Sequence, residues 1–346
     1  MDKVIKSVMN KKNIITFLII TVIVLGFVLK NEHIDIQLFL KMDIRWITLA
    51  FIMVLLYYTI EAYILKSAIE YHKTKFKFGK YLKNIFIGQL FNGITPFASG
   101  GQPIQIYHLN KKGISSAEGA SALFINFLMY QIALTIYGMF FLIFKFNFFA
   151  NSSNNFLYIV FIGFIIDISV VLFLIAIFLW KDTVKKVLFN LIRKTPFLKE
   201  KNKQSISRKV IRFMKEFSKA ITNLKDKKWL FEKLFILNMI KLAVIYTIPF
   251  FIAKSVGVNN LNIINIIAGS AFLKMITSFV PIPGASGGAE GGFYFIFSIF
   301  FTFKTLFFVI VVWRFITYYF AMIIGMIVFT IFLLKNRNEI IEDTNE

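Results

Sequence analysis

The chain contains no cysteine, and it has only three histidines and six prolines. Without cysteine there is no disulfide framework, no thiolate nucleophile and no thiolate metal site. His33, His72 and His108 lie far apart in sequence, so metal chemistry has no cluster to rest on. Acidic residues are also scarce, with 18 Asp and Glu against 40 Lys and Arg, and the net charge is +22. Neither the dinucleotide glycine fingerprint nor the P-loop pattern occurs, so nucleotide binding is not indicated. No nucleophile–base pair is recognisable. No cofactor is expected.

Hydrophobic residues are what the chain has in excess. They make up 58% of its 346 residues, and the mean hydropathy is +0.71. Ordinary soluble chains run at about 45–50% apolar with glycine included. Six stretches approach the roughly 20 apolar residues that a bilayer crossing needs. They are 14–30, 44–66, 119–144, 156–180, 229–253 and 304–334. Two further segments, 84–108 and 262–302, are apolar but interrupted by glycine and proline, and are predicted to be re-entrant hairpins or broken helix pairs. The predicted fold class is an all-α polytopic integral membrane protein, a single transmembrane domain over 1–346. Lys3, Lys6, Lys11 and Lys12 before an apolar run look like a signal peptide. The run from Ile14 to Leu29 is long for that role and no small-residue cleavage site follows it, so an uncleaved first helix is expected.

Charge placement supports this topology. With a cytoplasmic N-terminus, the inner pieces are 1–13, 66–83, 109–118, 181–228 and 335–346, and they hold 30 of the 40 Lys and Arg. That is the positive-inside pattern, with both termini cytoplasmic. It accounts for most of the net charge without nucleic acid as a partner. The basic loop 181–228 carries Ile206, Val210, Phe213, Met214, Phe217, Ile221 and Leu224 at three- and four-residue spacing. Arg208, Lys209, Arg212, Lys215 and Lys219 fill much of the remainder. Such an amphipathic helix suits an anionic inner leaflet. A solvated loop that only fixes topology is the alternative. No RNA-binding module accompanies it.

The most informative segment is Pro281-Ile-Pro-Gly-Ala-Ser-Gly-Gly-Ala-Glu-Gly-Gly-Phe293. Irregular backbone at membrane depth survives only when it is buried in protein or lines a wet cavity. Pro96-Phe-Ala-Ser-Gly-Gly101 matches Pro283-Gly-Ala-Ser-Gly-Gly288 at five of six positions. Paired broken segments point to a transporter binding site and to an inverted repeat. Ser99, Gly100, Gly101 and Gln102, with Ser286, Gly287 and Gly288, are candidate anion contacts through amides at helix starts. Close backbone packing explains the same glycines. Gln89, Asn92 and Gln105 share the first hairpin, as ligand contacts or as polar packing.

Six ionisable residues fall at membrane depth: Glu61, Asp167, Lys241, Lys274, Glu290 and Arg314. Each is a functional hypothesis by default. A turn at Pro281–Gly284 sets Lys274 and Glu290 at similar depth on facing arms, where they can pair. That pair serves a ligand or simply holds the hairpin shut. Arg314 reaches either Glu290 or a phosphate, which guanidinium binds bidentately. Asp167 is a candidate ion or proton relay, and Glu61 a weaker one.

Thr95-Pro-Phe-Ala-Ser-Gly-Gly-Gln-Pro103, the run from Pro281 to Glu290, and Trp313-Arg314 together resemble the transmembrane domain of bacterial lysylphosphatidylglycerol synthase/flippase proteins. The resemblance covers roughly 10–335. It implies a bacterial cytoplasmic membrane protein that moves phosphatidylglycerol or its lysyl ester between leaflets and so confers resistance to cationic antimicrobial peptides. It carries over to Glu290, Arg314 and the two Gly-rich turns. The family's soluble domain, which transfers lysine from lysyl-tRNA to the lipid, has no counterpart before Glu346, so phosphatidylglycerol lysyltransferase activity is expected only with a separate aminoacyltransferase chain. A second copy of the chain is another candidate partner. An ion-coupled carrier of a small anionic solute is the reading from a different class.

Overall fold

The structure is a computed structural model, and it describes residues 36–71, 75–150, 156–180, 227–278 and 280–335, with a few more between 183 and 222. The expected first crossing, 14–30, lies outside the described residues, as does most of the basic loop. All regular structure among the described residues is helical.

A short helix α1 (Ile36–Lys41) leads into α2 (Ile44–Glu70). Asp43 caps α2 by accepting from the Arg45 amide at 2.9 Å. At 1.5 Å per residue, the 27 residues of α2 span about 40 Å, enough to cross a bilayer with tilt. Helices α3 (Phe78–Ile94) and α4 (Gly101–Asn110) are separated by a tight 3₁₀ turn, Pro96–Ala98. Helix α5 (Ser116–Phe144) starts with a reciprocal cap in which Ser115 Oγ accepts from the Glu118 amide and Glu118 accepts from the Ser115 amide. After α6 (Phe146–Ala150) come α7 (Phe156–Leu179) and α8 (Lys228–Tyr246), the latter continued by α9 (Ile248–Ser255). Pro249 cannot donate into the ladder, and the helix breaks at Thr247, two residues before it. The second broken pair is α10 (Ile263–Thr277) and α11 (Gly288–Phe297), joined through the 3₁₀ turn Pro283–Ala285. Helix α12 (Phe303–Arg314) passes through a π-turn, Phe315–Tyr319, into α13 (Phe320–Lys335).

Five stretches are long and apolar enough to cross a membrane: Ile44–Glu70, Ser116–Phe144, Val160–Ile177, Lys228–Ser255 and Phe303–Lys335. These are the five expected crossings that fall on described residues. Helices α4 and α11 have ten residues each, about 15 Å of rise, too short to cross. Both interrupted segments are therefore broken helix pairs with a short returning arm, and α3 begins somewhat earlier than the pattern predicted.

Helix α2 packs on α3, α5, α8 and α9, while α10 lies among α5, α7 and α11. Helix α13 runs along α3, and a Cβ at Gly325 would stand 2.3 Å from the Phe86 carbonyl oxygen. Backbones approach this closely in lipid because small residues let van der Waals packing replace the missing hydrophobic drive. Large side chains such as Ile162, Ile165, Leu172 and Phe173 of α7 remain exposed, as a lipid-facing surface requires. Of the apolar stripe of the basic amphipathic segment, Phe213 and Phe217 are described. They pack against Ala117, Ala120 and Phe124 of α5, so part of its apolar stripe is covered by protein.

Candidate functional site

The two 3₁₀ turns meet each other. Their backbones follow the same path as far as the alanine. Thr95 and Ile282 are extended, with φ/ψ of −117/145° and −108/141°. After the proline, Phe97 at 54/19° corresponds to Gly284 at 62/13°, and Ala98 and Ala285 both have φ of 52°. Ser99 Oγ donates to the Pro96 carbonyl at 2.9 Å, and Ser286 Oγ to that of Pro283 at 3.1 Å. The repeated motif is thus a repeated structure through the alanine, beyond which Ser99 at ψ −17° and Gly100 at φ −82° part from Ser286 at ψ 138° and Gly287 at φ +80°.

Local bonding corrects one expectation. The Ser99 and Ser286 amides donate to the carbonyls of Pro96 and Pro283, and the Gly100 amide donates to Thr95 Oγ1 at 2.8 Å. The Gly287 amide, at φ +80°, donates to Glu290 Oε2 at 2.7 Å. These amides, expected to face an anion, are satisfied by the turns themselves. The helix-start amides beyond them, at Gly101, Gln102, Gly288 and Ala289, have no intrahelical acceptor. Among these residues Gln102 is exposed, while Gly101 and Ala289 are buried.

The second turn carries the charges. Arg314 Nε donates to Glu290 Oε1 at 2.7 Å and Nη2 to Oε2 at 2.9 Å, a forked pair. Nη2 also lies 3.4 Å from the Ala285 carbonyl oxygen. The guanidinium sits 5.3 Å from the Trp313 ring centroid and 5.2 Å from that of Tyr318. Arg314 is 7% exposed and ends α12 where the π-turn begins, and such bulges are frequent at functional sites. Tyr318 then ties the two halves together. Its hydroxyl donates to the Gly93 carbonyl at 2.9 Å, and a Cβ on Gly284 would stand 2.0 Å from the same oxygen.

Glu290 therefore pairs with Arg314 and not with Lys274. The facing-arm argument put Lys274 and Glu290 at one depth, but the rotation of α10 aims Lys274 elsewhere. Among the described residues the Lys274 ammonium has no hydrogen-bond or ion-pair partner. Lys274 is exposed on α10, an apolar helix most of whose other side chains are covered, and it lies within electrostatic reach of Lys241, Asp167 and Arg314.

Asp167 is 0% exposed and accepts from Gln131 Nε2 at 2.7 Å through Oδ1. Its Oδ2 has no hydrogen-bond partner among the described residues, nor does the buried hydroxyl of Tyr246 nearby. Glu61 is held by Lys241 and by Asn126 Nδ2 at 3.0 Å, with Asn238 donating to Asn126 Oδ1 at 3.2 Å. Lys241 also lies over the Tyr130 ring at 4.7 Å from its centroid. The Glu61–Lys241 pair escaped sequence reading because its partners are 180 positions apart, and the only available signal was that both charges interrupt apolar helices. Among the described residues no group of three or more His, Cys, Asp or Glu converges as a metal site would.

A family model described as the lysylphosphatidylglycerol synthase TM region matches residues 13–325. The chain belongs to that family. A search of curated proteins found no match.

Proposed function

We propose that this member of the lysylphosphatidylglycerol synthase transmembrane family moves an anionic or zwitterionic phospholipid, phosphatidylglycerol or its lysyl ester, between leaflets of a bacterial membrane. The observation that carries the reading is Lys274, exposed and with no partner for its ammonium among the described residues, on one of two broken helix pairs whose turns meet. A bare cation at membrane depth is costly, and an anionic group that visits it removes the cost. A lipid phosphate has that charge, and its tails can remain in the bilayer as the headgroup moves.

The Glu290–Arg314 pair fits the same substrate class. Each half neutralises the other, so a lone phosphate or a lone amine reaching it would strand one buried charge. A headgroup bearing both signs can take both partners at once, with amine on Glu290 and phosphate on Arg314. Polar access along broken helices then carries the headgroup past the point where the turns meet. Outer-leaflet lysyl-lipid would lower the negative surface charge and with it the attraction of cationic antimicrobial peptides. The chemistry that makes such a lipid would belong to a separate aminoacyltransferase.

The test is leaflet exchange in liposomes carrying labelled phosphatidylglycerol or lysyl-phosphatidylglycerol. Exchange by the wild-type protein should exceed that of empty liposomes, and Lys274→Gln should reduce it about tenfold or more, the equivalent of one charge-assisted contact. Folded protein that moves neither lipid would overturn the reading.

A further inference from the structure

Asp167 and Lys274 stand on helices that touch. A Cβ on Gly163 of α7, one turn before Asp167, would meet Ile276 and Met275 of α10 at 3.6 Å. Asp167 lies within electrostatic reach of Lys274, yet no hydrogen bond joins them. The carboxylate is wholly buried with one oxygen unpartnered, while the ammonium is exposed. One member of the couple is thus open to a ligand and the other is sealed from it.

Charge balance gives the arrangement a consequence. With Lys274 free, the ammonium and the Asp167 carboxylate sum to zero. A phosphate on Lys274 would leave an ionised Asp167 in excess, at a depth where an uncompensated charge is expensive. Uptake of one proton on Asp167 restores neutrality. The linkage is reciprocal, so a proton on Asp167 must tighten the hold of Lys274 on an anion by the same factor.

We propose that Asp167 is a proton-binding site coupled to lipid movement, taking up a proton when an anionic headgroup occupies Lys274 and releasing it to water when the headgroup leaves. This rests on the phospholipid-moving reading above. The proton comes from water onto Asp167 Oδ2 and returns to water, and no heavy-atom bond changes.

Among the groups facing Asp167 no other carboxyl is present to take up the proton. Helix α5 presents Gln131 and Tyr130, α8 presents Tyr246, and α10 presents Lys274. Tyrosine titrates near 10 in water and lysine higher still. Helix α6 carries no ionisable side chain, and on α7 the other one, Tyr158, lies more than two turns away. Among the described residues no group of three or more His, Cys, Asp or Glu gathers at Asp167.

The experiment uses full-length protein in liposomes with labelled phosphatidylglycerol, whose phosphodiester stays ionised at pH 6–7.5, and a pH dye in the lumen. A step of one pH unit changes the protonated-to-ionised ratio of a carboxyl up to about tenfold. Acid on the side the lipid leaves should therefore speed net movement toward the alkaline side severalfold, with protons appearing in step with lipid. Asp167→Asn should lose the response to the gradient, and Asp167→Glu should retain it. Wild-type exchange that is real but indifferent to the gradient would overturn the coupling and leave the phospholipid reading standing. A response that persists in folded Asp167→Asn, or one that follows sodium instead of protons, would also overturn it. No exchange of either lipid by the wild type would instead bring down the reading on which the coupling rests.

Discussion

Phe97 and Gly284 occupy the same place in two copies of one turn, both in the left-handed region, and only one of them is glycine. Gly284 is required twice over, by its positive φ and by the Tyr318 hydroxyl that fills the space of a side chain. Phe97 has no such neighbour and projects its ring outward, 59% exposed. A bulky residue at positive φ is strained by about 1–2 kcal/mol. The difference between the copies predicts opposite responses. Gly284→Ala should lower thermal stability in detergent by at least about 1 kcal/mol, through strain and loss of the Tyr318 contact. Phe97→Gly should leave stability unchanged or slightly raised, since relief of strain is partly offset by the freedom glycine adds to the unfolded chain. Equal losses in both variants would show that Phe97, despite its positive φ, contributes to stability as Gly284 does.

Thr95 and Glu290 do one job in the two turns, each accepting from the amide of the glycine that precedes the returning helix. Thr95→Val removes the acceptor and strands the Gly100 amide in a part-buried site, at a cost of about 1–3 kcal/mol. Thr95→Ser keeps the acceptor and should restore most of it. Thermal denaturation of the three proteins checks the order, wild type first, serine close behind, valine last.

The ion pair between Glu61 and Lys241 has the signature of a structural clamp. Asn126, Asn238 and the Tyr130 face surround it, and Lys241 is 2% exposed. Lys241→Met alone should cost about 3–5 kcal/mol, because it leaves the Glu61 carboxylate unpaired in the bundle. Glu61→Gln together with Lys241→Met should recover much of that loss, since replacing both members removes the bare charge. Denaturation midpoints of the single and double variants decide the matter. A double variant no more stable than Lys241→Met would mean that the pair is not the reason for the cost.

These expectations also mark where sequence reading succeeds and where it stops. Spans α2, α5 and α13 are legible because continuous apolar runs have few other uses. The two turns are legible because proline and glycine punctuate them at the same spacing, and the positive φ at Gly284 is what that composition anticipates. Arg314 reaching Glu290 was one of two outcomes that helix rise allowed. The choice between them depends on how α11 and α12 face each other, which no local pattern encodes. Lys274 shows the same limit from the other side. Equal depth on two arms suggested a pair, but a helix can turn a side chain away by 100° with one residue. The buried amides differ again, since Thr95 and Glu290 reach back to them only once the turn has formed.

Glu290 and Arg314 should behave as a coupled unit. Glu290→Gln keeps an oxygen for the Gly287 amide but removes the charge facing Arg314. Each of Glu290→Gln and Arg314→Gln should therefore destabilise by about 3 kcal/mol, and the double variant by clearly less than the sum. Denaturation of the four proteins in the cycle gives the coupling directly. Additive losses would mean that the fork seen in the structure is not the source of either cost.

The absence of cysteine makes the exposure of Lys274 directly measurable, since any single introduced thiol is the only one in the chain. Lys274→Cys places it at an exposed position, whereas Asp167→Cys places it at one that is 0% exposed. Only a thiol that water reaches ionises and reacts with a charged, membrane-impermeant thiosulfonate. Lys274→Cys should be labelled quickly and Asp167→Cys slowly or not at all, with phosphatidylglycerol slowing the first. Labelling read by mass shift tests wetness separately from transport. A folded Lys274→Cys protein that resists the reagent would mean that this face of α10 meets lipid tails instead of water. An ammonium there could not receive a hydrated phosphate, and the headgroup path would have to be sought along the Glu290–Arg314 fork alone.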